Sequence, residues 1–223
     1  MDDRLIQIII DAFPQLLQAF FATTVPLTIL SFILAGVISV VAAMILYANV
    51  PVLKTICRFY IWVIRGTPLL VQLYLVFFGL PSLDIYIDAF PAAVLVFGLN
   101  EGAYMAESMR AALESVPKGQ LEAGYCVRLN YIQIMWHIVL PQAYRIAFPS
   151  LSNSLISMLK GTSLAASITV MDMFRQGQVI NGRVYESLAL YSEVAVIYLA
   201  FCTLLTWLQH LGEKKLSTYG GVR

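Results

Sequence analysis

Charge is scarce in this chain. Asp, Glu, Lys and Arg make up 12% of 223 residues, against about 25% in an ordinary soluble domain. Hydrophobic residues account for 60%, and the mean hydropathy is +0.79. No charged residue occurs from Ala12 to Leu53, a run of 42 positions. Water cannot solvate such a surface, so a soluble globular fold is excluded. The net charge of +1 provides no basic field for nucleic acid. Three cysteines, Cys57, Cys126 and Cys202, show no CxxC spacing. They support neither a disulfide framework nor a zinc site and read as ordinary small side chains. No GxxxxGK[ST], HExxH or GxSxG run occurs. The usual cradle for nucleotide phosphates and the usual hydrolytic centres are therefore missing. His137 and His210 stand alone and read as structural. Residues 1–12 carry Asp2, Asp3 and Asp11 against Arg4, the wrong sign for a secretory leader, so the apolar stretch that follows is expected to be retained. There is no repeat of 20–50 residues and no low-complexity segment.

What is there is a series of long apolar segments. One domain, 1–223, is expected, with an amphipathic, interface-lying helix over 4–20. Five spans follow at about 21–47, Phe59–Leu80, Pro91–Leu113, Ala143–Ile168 and Tyr191–Leu211. Asn49-Val50-Pro51 ends the first, because proline and the residue before it both resist helix. Pro81, Asp84 and Asp88 make an acidic loop after the second, and 114–141 is a charged loop after the third. The fold class is all-α, a polytopic membrane protein of five transmembrane helices.

Five spans place the termini on opposite sides. With the C-terminus inside, nine Lys/Arg are cytoplasmic: Lys54, Arg58, Arg110, Lys118, Arg128, Arg145, Lys214, Lys215 and Arg223. Three are external: Arg4, Arg175 and Arg183. Arg65 and Lys160 lie within or at the edge of spans. The bias predicts the N-terminus outside and the 114–141 loop inside. Glu114, Lys118 and Glu122 are spaced at about one helical turn, with Arg128 beyond them, which predicts a short helix there. Its small residues Ala123 and Gly124 are expected to lie against a partner.

Two sets of motifs narrow the class. In the loop, Gln120, Glu122 and Ala123 precede Ile138-x-Leu140-Pro141, which begins fifteen residues after Ala123. This resembles the coupling loop (Glu-Ala-Ala, three residues, Gly, nine residues, Ile-x-Leu-Pro) of the membrane-spanning permease subunits of bacterial ATP-binding-cassette importers. Gly124 stands where that family has Ala, and Arg128 where it has Gly. A turn shifted or reshaped toward Asn130 is therefore expected, since asparagine tolerates left-handed geometry. The second set is Arg65-Gly66-Thr67-Pro68-Leu69-Leu70-Val71-Gln72, then Ala103-Tyr104-x-Ala106-Glu107-x-x-Arg110, then Pro117-Lys118-Gly119-Gln120. Ser152-Asn153-Ser154 and Lys160-x-Thr162-Ser163-Leu164 extend it. It resembles the polar amino acid subfamily, with the run of the chain most like cystine-type permeases.

The resemblance implies the type I importer permease fold and alternating access. It implies a partner ATPase dimer that binds ATP, a second permease subunit, identical or homologous, and an extracytoplasmic binding protein. This chain would hold no cofactor of its own and sit in a bacterial cytoplasmic membrane. Gln120, Glu122, Ala123, Gly124 and Arg128 are the expected ATPase-coupling residues. Asn100, Glu101, Tyr104 and Lys160 are the expected substrate pathway. Asn100 and Tyr104 share one face of the third span by i, i+4 spacing, with Glu101 beside it. An ionisable residue in hydrocarbon is costly and marks a candidate function. Two readings of Glu101 stand: it meets a substrate ammonium, or it pairs with a neighbouring helix. Two also stand for Lys160: it neutralises a substrate carboxylate, or it snorkels outward. Glu107 and Arg110 read as an internal ion pair. Arg65 reads as structural, and Tyr60, Trp62 and Trp207 as interfacial anchors. An ATP-independent transporter or channel is the main rival, but would be expected to have more spans or inverted repeats. A membrane enzyme is the other, but no convergent nucleophile, base or metal ligands are seen.

Overall fold

The longest helix starts at Asp3 and does not stop until Ala48 in the computed structural model, which describes residues 3–218. It comprises α1 (Asp3–Ala19), a π-helical turn (Phe20–Thr24) and α2 (Val25–Ala48). Its 46 residues rise about 69 Å at 1.5 Å each, over twice the ~30 Å hydrocarbon core. α1 has the expected two faces. Arg4, Gln7, Asp11 and Gln15 are exposed along one side, while Ala12 and Leu16 are buried on the other. It is not a separate element, however. No turn divides it from the first span, because the widened turn at 20–24 absorbs Pro26 without ending the helix.

Asn49 ends α2 in a left-handed conformation, φ 58°, which asparagine adopts more readily than most residues. Pro51 then opens α3 (Pro51–Gly66) at its first helical position. The expected unbroken span over Phe59–Leu80 does not exist. Thr67 is extended ahead of Pro68, as the residue before a proline prefers. The chain turns by 104° into α4 (Leu69–Tyr74), which runs through a second π turn (Leu75–Gly79) to a 3₁₀ turn at Leu80–Leu83.

Next come α5 (Ala89–Glu114), α6 (Lys118–Cys126) and α7 (Tyr131–Ile134). A third π turn (Met135–Val139) leads into α8 (Leu140–Gly161), and a 3₁₀ segment follows at Thr162–Ile168. The last elements are α9 (Met173–Val184) and α10 (Ser187–Thr218). No strand occurs among the described residues. Three helices are long and apolar enough to cross a membrane, and up to five spans result if each of two bent pairs counts as one. Arg223 lies outside the described residues.

Each of the three π turns ends two residues before a proline, Pro26, Pro81 and Pro141. Proline has no N–H for the i−4 carbonyl, and its ring crowds that carbonyl. Widening the turn relieves both problems without breaking the helix. The Ile-x-Leu-Pro element therefore sits within a continuous helical path.

Packing is closest between α2 and α5. A Cβ on Gly98 would lie 2.5 Å from Leu34 Cδ2, and one on Gly102 3.0 Å from Ile38 Cγ2. The two glycines are four apart, the small-xxx-small spacing that lets membrane helices approach. Elsewhere, Leu16, Phe20, Met173 and Leu190 join α1, α9 and α10. The N–H of Met173 donates to Thr24 Oγ1 at 3.1 Å, and Asp172 caps α9 by accepting from the Arg175 N–H. Ala43, Leu113, Ile134, Val139 and Ala147 bind the 114–141 segment to the ends of α2, α5 and α8.

Candidate functional site: a polar helix face and an exposed short helix

α5 and α8 carry the polar residues that the apolar majority does not explain. Glu101 is half-buried and faces α8, where the Ser154 hydroxyl is within hydrogen-bonding reach of its carboxylate. Seven residues on, Ser150 Oγ donates to Ser108 Oγ at 2.9 Å, closing the same seam. Tyr104, one turn from Glu101, is exposed, and the Arg65 guanidinium sits 5.1 Å over its ring, a cation–π contact. Asn153, Ser157 and Lys160 are exposed along one side of α8 at i, i+4 and i+7 spacing. Gly161 brings α8 against Phe97 of α5, 3.7 Å from where its Cβ would be. α5 and α8 thus present a carboxylate, a phenol and small hydroxyl and amide groups amid apolar neighbours, with Arg65 against the phenol and Lys160 exposed at the end of α8.

Asn100 is placed differently from Glu101, Tyr104 and Lys160. It is 8% exposed, and its Nδ2 donates to Gln72 Oε1 at 3.1 Å. Gln72 Nε2 in turn donates to the Ile64 carbonyl (2.8 Å), the Thr67 carbonyl (3.1 Å) and Thr67 Oγ1 (2.8 Å). These are the carbonyls that the break at Pro68 leaves without helical partners. Asn100 and Gln72 together satisfy that break, because unpaired backbone groups in a membrane interior are costly. Arg65 does more than shape the chain after α3, since it lies beside Tyr104 on the polar face. Tyr60 is not an interfacial anchor. It is half-buried and donates its hydroxyl to the Leu99 carbonyl. Trp62 and Trp207 are exposed. Arg110 pairs with Glu107 at 2.7 Å, as its spacing predicts, and also with Glu114 at 2.6 Å.

The 114–141 segment folds into α6 and, from Tyr131, the start of the helical path that continues into α8. Gln120, Glu122 and Ala123 of α6 are exposed. So are Tyr125, Val127, Ile132 and Trp136, large apolar side chains of the same segment. Gly124 is not on this surface. It is buried, and a Cβ there would lie 2.7 Å from Ile134 Cγ1 and 3.0 Å from Ile134 Cδ1. The small residue therefore lets α6 close onto the chain's own next turn, not onto a partner. The turn after α6 is also not displaced to Asn130. Arg128 itself takes the left-handed conformation, φ 62°. Asn130 is extended and closes a capping box: its side chain accepts from the Gln133 N–H, and Gln133 Oε1 accepts from the Asn130 N–H, both at 2.9 Å.

Ser108 and Ser157 were not singled out from sequence, and Gln72 and Ser154 were named only within the motifs, without a role. The i, i+4, i+7 spacing of Asn153, Ser157 and Lys160 was a usable signal. The contact of Gln72 with Asn100 crosses 28 positions and left none. No group of three or more His, Cys, Asp or Glu able to hold a metal occurs among the described residues.

Comparison with known proteins places these features in context. Residues 35–218 match the family model described as binding-protein-dependent transport system inner membrane component. The L-cystine transport system permease protein TcyB of Bacillus subtilis (strain 168) is 44% identical over 197 residues, 88% of this chain and 84% of TcyB. TcyL, an L-cystine transport system permease protein of the same organism, is 39% identical, covering 90% and 87% of the two chains. A solved amino acid ABC transporter with histidines superposes with a TM-score of 0.86 at 31% identity, covering 92% of this chain and 96% of that one. The MetNI methionine ABC transporter, at 16% identity and a TM-score of 0.76, shares the fold.

Proposed function

The chain belongs to the family of binding-protein-dependent transport system inner membrane components, and on that premise we propose that it carries an amino acid, cystine first, through a bacterial cytoplasmic membrane. It contributes the pathway and the docking surface. ATP is bound and hydrolysed by a separate ATPase dimer, and an extracytoplasmic binding protein delivers the substrate. A second permease copy, identical or homologous, completes the pore. The Lys/Arg bias supports an N-terminus outside and α6 inside.

The observation that carries this reading is the exposed platform at α6. A short helix with Glu122 and Ala123 outward is held by Gly124, Ile134 and Ile138 at the shared ends of α2, α5 and α8. A force applied there reaches the helices that bear the polar face. On that face Glu101 would attract a substrate ammonium, while Arg65 and Lys160 would meet a carboxylate. Cystine has two of each, which suits a face carrying charges of both signs. Asn100 serves this pathway from behind, by fixing Gln72 and the break.

Glu122→Arg should abolish cystine uptake by the assembled complex while leaving insertion and abundance unchanged. Normal uptake by this variant would remove the coupling role of α6.

A further inference from the structure

The side of α8 opposite its polar stripe borders a deep apolar groove. Tyr144, Phe148, Leu151 and Leu155 line it from α8, about half a helical turn away from Asn153, Ser157 and Lys160. α2 and α10 form its rims, with Gly36 and Leu208 among the lining residues, and Met105 and Met109 of α5 floor it. Its volume is about 600 Å³. A second cavity of about 220 Å³ continues it toward Leu113 and Leu140, sharing Val40, Met109, Tyr144 and Leu151.

We propose that this groove holds one acyl chain of an anionic phospholipid, with the headgroup phosphate met by Lys215. Water is a poor occupant, because the lining offers few polar partners. An empty groove forfeits dispersion contacts along all four helices. The length suits a lipid tail. From Phe32 to Met44, lining residues of the two cavities, α2 rises roughly 18 Å, close to one leaflet's half of a ~30 Å core.

Charge fixes the direction. Gln209 Nε2 reaches the Pro149 carbonyl, and Gly212 meets Phe148. α10 therefore leaves the groove at the α6 end. Lys215 is exposed there, seven residues and so two turns beyond Leu208 on the same helix side. A tail in the groove puts its phosphate at that level. This site rests only on the membrane placement of the chain, not on which solute it carries.

Gly36 gives a direct test, because a Cβ there has nothing within 4 Å and a large side chain enters the groove without a clash at its base. The importer complex is purified in mild detergent from mixed phosphatidylglycerol and phosphatidylcholine, and bound phospholipid is counted by native mass spectrometry. Wild type should retain one more phospholipid per permease chain than Gly36→Phe. Lys215→Glu, at an exposed position, should lower retained phosphatidylglycerol at least threefold and leave total assembly intact. Equal lipid counts in wild type and Gly36→Phe would overturn the proposal. So would unchanged phosphatidylglycerol in Lys215→Glu. Loss of a subunit from Gly36→Phe with lipid unchanged would also overturn it, by showing that a protein chain covers the groove.

Discussion

Glu101 and Arg128 each bear a cost that a more ordinary residue would avoid. A carboxylate in a span needs water or a polar partner, and Glu101 has Ser154 beside it. Glu101→Gln keeps the shape and removes the charge. Uptake should fall or the ranking of amino acids change, with the amount of assembled complex constant. Lost assembly would mark a structural pair, and unchanged uptake and selectivity would take Glu101 out of the mechanism. At Arg128 the cost is in the backbone. A non-glycine residue at φ 62° gives up roughly 1 kcal/mol. Arg128→Gly should raise the complex's thermal stability by a degree or more, read by scanning fluorimetry; a fall would mean that the arginine side chain makes a compensating contact. Both residues were visible in the sequence, as an intramembrane acid and as a departure from a glycine position. Their settings were not. Asparagine's tolerance of left-handed backbone pointed to Asn130, but Asn130 is already committed to the capping box with Gln133, so the turn fell to Arg128.

At the scale of elements, the seam between α2 and α5 is the least forgiving. A Cβ added at Gly98 would meet Leu34 down to its own Cβ, 3.0 Å away, so the clash cannot be relieved by moving a side-chain tip. Gly98→Val should cost about 1–3 kcal/mol and reduce folded permease in membranes. Wild-type abundance and melting would show that the helices can part there without loss. The sequence revealed most helices through their long apolar runs and proline stops. It did not reveal the 104° break at Thr67–Pro68. Apolar residues continue on both sides, and a membrane helix can tolerate proline when other groups take up the freed carbonyls. Here Gln72 takes them. Conversely, α1 was read as a separate, interface-lying helix, yet the π turn carries the helix on past Pro26.

For the whole molecule, orientation is the consequence that can be measured most simply. In a background without native cysteines, Asp3→Cys should react with an impermeant maleimide from outside. Lys215→Cys should react only after the membrane is opened. Labelling of both from one side would reject an odd number of spans. Family membership was legible because its motifs are local runs of residues. The polar face was only half legible, because it joins α3, α5 and α8 through contacts distant in sequence. The three π turns bear on how the chain can change in length. A π turn holds one residue more than an α turn over the same path, and each residue carries about 100° of rotation. Every side chain after Pro26, Pro81 or Pro141 is thus phased by that surplus residue. Replacing one of these prolines with alanine should therefore be better tolerated when a residue is also deleted from the preceding turn. The deletion alone would swing the downstream helix by more than a quarter turn and face its lipid side inward.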